Sequence, residues 1–279
     1  MIRTALFAFF ATVAAAVTVT VTDTATALAY IPPSSFVLKS LAQKHLAFAG
    51  VQIKSRVTVY DGGKATGTQF KVTTLFNSHE GRLFSLATDA ADHRLYSVEK
   101  KMPELAPAAA VLFSPQSRAI AQILIANGIP VAEAETAVDD SGAPVHQGGA
   151  GEGMTLTRWR DTIAYVMGPA KGAQFWVEKD TFIPLRLLLG AGGAQTEVRF
   201  DNTRFFKEFP YPKVISALKG GVTMLQDEAL EVTAYPEARG VKTPPLPGLK
   251  LPSNGMTDEG NSAPRELRDA IQQYYDLIR

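Results

Sequence analysis

Cysteine is absent from the 279 residues. A chain of this length then has no disulfide to lean on and must stand on its buried core; a bacterial lipid anchor, which needs a cysteine at the cleavage site, is excluded as well. Charge of one sign is not in surplus. With 28 Lys and Arg against 27 Asp and Glu, the formal net charge is +1, which leaves no basic footprint for nucleic acid. Histidine is sparse: His45, His79, His93 and His146 show no helical or CxxC-like pairing, so neither a metal nor a cofactor is expected. Long apolar runs are also missing, with one exception at the start.

That exception reads as an export signal. Arg3 precedes an apolar and threonine run from Ala5 to Val21, and Ala27-Leu28-Ala29 is a small-x-small cleavage site ahead of Tyr30. Residues 1–29 are therefore expected to be removed, leaving an exported, periplasmic protein with no integral membrane span. Arg3 and Asp23 leave together, so the net charge stays at +1. About 250 residues remain, enough for one large β domain or two small ones.

The hydrophobic period organises what is left. Ser34-Ser35 can cap a helix from Phe36 to Phe48, with Leu38, Leu41, His45 and Phe48 on one face and Gly50 at its end. The period then changes to two. Val51, Ile53, Ser55, Val57 and Val59 alternate with Gln52, Lys54, Arg56, Thr58 and Tyr60, as in a half-buried antiparallel strand. Asp61-Gly62-Gly63 turns the chain, and strands at 68–77, 82–88 and 93–101 continue a meander. Between Pro103 and Gly128 the pattern is helical, best defined over 115–127, where Ser114 caps and Ile120, Ile123 and Leu124 form the apolar stripe. Residues 132–154 have no period and read as a mobile loop.

A second meander runs from Thr157 to Tyr235. Trp159, Asp161, Ile163, Tyr165 and Met167 read as one face of a single strand; further strands are expected at 174–178, 183–189, 195–206, 213–218 and 222–233, the last as one strand or two. The expected domain layout is a signal peptide at 1–29, a β domain at 30–238, a Pro/Gly-rich linker at 239–263 and an amphipathic helix at 264–279. In that helix Leu267, Ile271, Tyr274 and Ile278 align. The β domain is expected to fold without the tail, because Pro244, Pro245 and Pro247 end the last strand.

Three motif matches fail on context. Ser216-Ala217-Leu218-Lys219 fits an S-x-x-K string, but in a strand Ser216 and Lys219 point to opposite faces and the companion strings are missing. Gly148 to Thr155 has phosphate-loop glycine spacing with Met154 where the lysine must stand. Asp89, Asp92 and His93 read as turn residues capping their own backbone. The chain is not expected to be an enzyme.

The element order, helix, strand meander, inserted helices and second meander, resembles the LolA-like outer-membrane lipoprotein-sorting fold. Ala173 to Leu189, AQFWVEKDTFIPLRLLL, and Glu208 to Ile215, EFPYPKVI, are the local matches. The resemblance covers about residues 34–235. It implies a mainly β (α+β) fold, an incomplete antiparallel β-barrel of roughly nine to eleven strands whose apolar hollow accepts acyl chains under a helical lid. Burying a methylene is worth about 0.8 kcal/mol, so moving acyl chains through water requires such a dry hollow. Val57, Val59, Phe70, Val72 and Phe76 from the first meander are then assigned to the hollow. Trp159, Ile163, Tyr165, Phe175, Val177, Leu185 and Leu187 join them from the second, and Ile120, Ile123 and Leu124 form the lid. The family's lid-holding arginine would correspond to Arg56 or Arg82.

The implied ligand is a lipid or an acylated lipoprotein, with inner- and outer-membrane proteins as possible partners. The alternative is an envelope sensor or scaffold that uses the same fold to bind a protein, with the terminal helix as docking element. In a sealed barrel the same strand residues would simply be core.

Overall fold

The computed structural model describes residues 31–131, 154–190, 192, 195–237 and 254–279. The signal segment, the loop at 132–153 with His146, and the stretch 238–253 lie outside the described residues. Among the described residues twelve antiparallel strands form one sheet, and its two end strands do not pair with each other.

The first helix, α1 (Ser34–Gln43), is shorter than its apolar stripe suggests. Pro33 stands at its N-cap, and the Pro33 carbonyl accepts from Phe36 and Val37, so the expected serine cap is not used. His45 and Phe48 fall outside the helix, and Phe48 already opens a strand. Strands β1 (Phe48–Asp61), β2 (Lys64–Asn77), β3 (Arg82–Thr88) and β4 (Arg94–Lys101) make the first meander. On β1 the alternation holds as written, with Val51, Ile53, Ser55, Val57 and Val59 all buried.

The helical insertion is two helices. Pro107 opens α2 (Pro107–Phe113), every residue of which is buried, and α3 (Ser117–Ala126) follows after a bend. Ser114 spends its hydroxyl on that bend, accepting from the Gln116 amide and donating to its carbonyl, so Gln116 is the N-cap of α3 without a side-chain bond. Gly128, at φ +79°, ends α3 as its left-handed backbone requires.

The second meander contains β5 (Met154–Trp159), β6 (Thr162–Met167), β7 (Gln174–Glu178), β8 (Pro184–Leu189), β9 (Thr196–Phe206), β10 (Phe209–Lys219) and β11 (Val222–Pro236). Three of its hairpins, β5–β6, β7–β8 and β9–β10, turn without glycine. Arg160 takes a positive φ between β5 and β6, and Lys207 and Glu208 do so between β9 and β10. The first of these splits the single strand expected through Trp159 and Ile163. The long β11 is one strand, and it pairs with β1, joining the two meanders.

The tail departs most from expectation. Gly255–Met256 adds a short strand, β12, to β4, so part of the expected linker belongs to the sheet. Thr257 caps α4 (Asp258–Ser262) by accepting from the Gly260 amide. Gly260 lies so close to the Leu95 carbonyl that a β-carbon there would collide with it. The last helix, α5 (Arg265–Leu277), forms where the amphipathic stripe predicts, but it is not a separate appendage. Ala270, Ile271, Tyr274, Tyr275 and Ile278 are buried within the same hydrophobic core as the sheet, so a β domain that folds without the tail is not what this packing supports. The physical reason is the stripe itself: four large apolar side chains on one face need a partner surface, and the sheet provides it.

Candidate functional site

The buried face of the sheet is concave and filled by helices. From α2, Phe113 stacks on Phe76 of β2 at 5.5 Å and lies 6.1 Å from Tyr211 of β10. Tyr274 of α5 meets Phe70 of β2 edge-on at 5.7 Å, and Tyr275 lies against Tyr96 of β4 at 4.5 Å. Near α1, Phe36 packs on Phe182 at the β7–β8 turn, and His45 and Phe48 pack on Phe209 of β10.

A polar strip crosses this apolar face and centres on Arg279, which is fully buried. Its Nη2 donates to Asp227 Oδ2 of β11 at 2.8 Å and to the Tyr211 hydroxyl at 2.9 Å, while its Nε donates to Thr74 of β2 at 3.1 Å. Tyr274 donates to the same Asp227 oxygen at 2.9 Å. Thr74, accepting from arginine, has its own proton left for Ser85 of β3 at 3.1 Å, and Ser85 also meets the Tyr275 hydroxyl at 3.0 Å. One guanidinium thus touches β2, β10 and β11, which are separated only by β1 in the strand order; the sheet must bend around it. Burial pushes the phenols of Tyr211, Tyr274 and Tyr275 up, so all three are neutral near neutral pH. Asp227 Oδ1 and Ser55 Oγ are buried without a hydrogen-bond partner.

His45 is a further buried titratable group on this side. Its Nδ1 lies 3.0 Å from the Ser114 carbonyl and must be the donor, which ties the end of α1 to the α2–α3 bend. Burial lowers its pKa to about 4, against the smaller raising effect of that bond.

The sequence-assigned hollow residues divide. Val57 and Val59 on β1, Phe70, Val72 and Phe76 on β2, Tyr165 on β6, Phe175 and Val177 on β7 and Leu187 on β8 are buried in the common core. Leu185 is half-buried beside a register shift in the β7–β8 pair. Ile163 follows Tyr165 in register but is 44% exposed. Trp159 faces the other side. The Arg160–Asp161 turn pairs it with Thr162, opposite in parity to Ile163, and it sits on the convex face against Trp176, with Arg186 4.7 Å above its ring. There Glu197 accepts from Arg186 and Arg199 at 2.6 Å each. Ile120, Ile123 and Leu124 are buried in α3. Arg56 and Arg82, the assigned lid-holding arginines, instead pair on the outer face with Glu228 and Glu99.

Outside the hollow, a groove of about 480 Å³ runs between the β3–β4 turn and α4, lined by Asp89, His93, Leu95, Asp258, Glu259 and Leu267 among others. Asp89 there caps its own turn, accepting from the amides of Ala91 and His93 and from the His93 ring. Ser216 and Lys219 fall on opposite faces of β10.

Sequence reasoning missed the polar strip. The signal is present in β11, where Leu225, Asp227 and Ala229 share the apolar parity, and a carboxylate at such a position asks for a buried cation.

No protein-family model and no curated protein matches the chain. Solved structures do. A LolA superfamily protein from Nitrosomonas europaea is 9% identical, covering 72% of this chain and 93% of its own, at a TM-score of 0.45. A putative outer membrane lipoprotein-sorting protein domain from Vibrio parahaemolyticus is 7% identical, covering 75% and 93%, at 0.42. A DUF1329 family protein from Desulfovibrio piger is 8% identical, covering 73% and 94%, at 0.37. The fold itself is mainly β, one open antiparallel sheet with helices on its buried face.

Proposed function

We propose that this chain is an exported carrier that binds a lipid, or the acyl chains of a lipoprotein, against the concave face of the sheet and moves them across the envelope. One observation carries the reading: the apolar face is covered by helices and not by a second sheet. Helices whose backbone hydrogen bonds are internal can withdraw without breaking a ladder bond, whereas a closed barrel cannot open at that cost. The side chains then exposed are Val57, Phe70, Val72, Phe76 and Phe175, a surface on which each buried methylene is worth about 0.8 kcal/mol. Among the described residues no helix is long and apolar enough to cross a membrane. Carriage needs no chemistry from the protein, and Ser216 with Lys219 lacks the common face that catalysis by that pair requires.

The test is mass spectrometry of the protein purified without detergent, together with thermal shifts on adding an amphiphile probe, in turn an alkylamine, a fatty acid and an alkyl maltoside. Copurified lipid, or a rise in melting temperature with the probe, is expected by linkage to the folded state. Ile123→Asp, on the buried stripe of α3, should abolish binding where Gln122→Asp does not. A protein that carries no lipid and shows no shift would overturn the carrier in favour of a scaffold for a protein partner, the reading favoured by a hollow already filled with its own helices.

A further inference from the structure

A buried carboxylate stands on the concave wall, and the group that neutralises it is not part of the wall. Asp227 is 2% exposed, projects from β11 and has its charge met by Arg279 and its Oδ2 bonded also by Tyr274. Both partners arrive with the α5 segment. Arg279 reaches the wall groups Thr74 and Tyr211 as well, so the α5 segment fills the hollow with an apolar body and sets a guanidinium against the wall. Asp227 Oδ1 and Ser55 Oγ remain without partners, on adjacent strands at the same inward parity, so the wall has acceptor capacity that α5 does not use.

Resting on the carrier reading above, we propose that the hollow takes amphiphiles with a cationic group, a primary ammonium or guanidinium beside an alkyl chain, which displace α5 by pairing with Asp227 in place of Arg279. An anionic or neutral amphiphile that displaced α5 would leave a carboxylate buried and uncompensated, which is strongly unfavourable. A cationic one restores the pair and can also reach Oδ1. Lys100, the other charge that α5 meets, donates to the Tyr275 carbonyl at the half-buried rim, where water can replace that bond, so it sets no comparable requirement.

The full-length mature chain is titrated with dodecylamine, dodecanoic acid and dodecyl maltoside below their micellar concentrations, with amide exchange over 265–278 as one readout and affinity as the other. In the wild type dodecylamine should accelerate exchange in α5, and the other two should not. Arg279→Gln should raise dodecylamine affinity roughly tenfold, the size of one charge-assisted hydrogen bond, and leave dodecanoic acid unchanged. Arg279→Lys should keep wild-type affinity. Asp227→Asn should bring amine and acid within about twofold of each other; should it not fold, the Arg279→Gln and Arg279→Lys pair decides by itself. Two further arms, a lysine-esterified short-chain glycerolipid and a palmitoylated lysine-containing peptide, separate lipid from acylated protein as the source of the cation. An equal gain for amine and acid in Arg279→Gln, or an amine preference that survives in Asp227→Asn, overturns the proposal. Failure of every probe with every variant overturns instead the carrier reading on which it rests.

Discussion

Asp227 and Glu228 are neighbours on β11 that point to opposite faces of the sheet. Each meets an arginine at nearly the same distance: Arg279 lies 2.8 Å from Asp227, and Arg56 lies 2.7 Å from Glu228. Their surroundings are opposite. The first pair has side chains 0% and 2% exposed, the second 47% and 36%. On the convex face water competes for both charges and the pair is nearly neutral to stability; on the concave face the other partners are neutral hydroxyls, and each charge is offset by the other. Contact length therefore says little about what a pair does, and the inner face is where this molecule fixes its arrangement.

The largest break in that comparison is Asp227→Ala. It strands the Arg279 guanidinium and the Tyr274 hydroxyl in an apolar hollow, and should destabilise the protein by about 3–5 kcal/mol. For a chain of this size that is a fall in melting temperature of roughly 10 °C or more in thermal unfolding. Replacing both partners, Asp227→Leu with Arg279→Met, should recover most of the loss, because the desolvation cost is removed with the charges. A double variant no more stable than the single one would show that the strip contributes through shape and not through charge compensation.

The same contrast explains what was legible in the sequence. Two-residue alternation on β1 and β2 gives the buried face residue by residue, because one face meets water and the other does not. Trp159 was misplaced because its hairpin turns at Arg160–Asp161, where a positive φ is carried by arginine and no glycine or asparagine announces it. The strand meanders and the inserted helices follow from period changes, which are local, whereas whether the end strands pair is long-range and no period reports it. That α5 belongs to the core is a long-range fact: its stripe of Ile271, Tyr274 and Ile278 predicts a helix with a hidden face but does not say what hides it. Arg279 is harder still, since a charged residue at the end of an amphipathic helix ordinarily reads as solvated.

A second buried group sharpens the comparison through pH. His45 titrates at about 4 in the folded protein against 6.5 unfolded, so between those values the unfolded chain binds more protons. Its contribution is complete above pH 6.5 and is lost as the pH falls towards 4, by about 3 kcal/mol in all. Exposed His93 has the opposite sign, because Asp89 raises its pKa: what it contributes is present at low pH and fades as the pH rises through its folded value. Thermal unfolding from pH 7 to 4 should therefore fall steeply in the wild type, and less steeply in His45→Asn, whose amide can still donate to Ser114. An unchanged slope in that variant would assign the acid limb to other groups.

The smallest effect belongs to the outer pair. Glu228 accepts from Arg56 and is approached by Lys213 at 3.3 Å, and both cations hold its carboxyl below the usual range. Water and salt screen all three groups, so Glu228→Gln should change stability by less than about 1 kcal/mol, and a double-mutant cycle with Arg56→Gln should give a coupling of the same order. Raising the salt from 0.05 to 0.5 M should shrink that coupling further, since the screening length falls below the spacing of the neighbouring charges. The coupling at Asp227 and Arg279, shielded by the helices, should hardly respond to the same change. If the two couplings respond alike to salt, water reaches the polar strip, and the concave face is wetter than its packing implies.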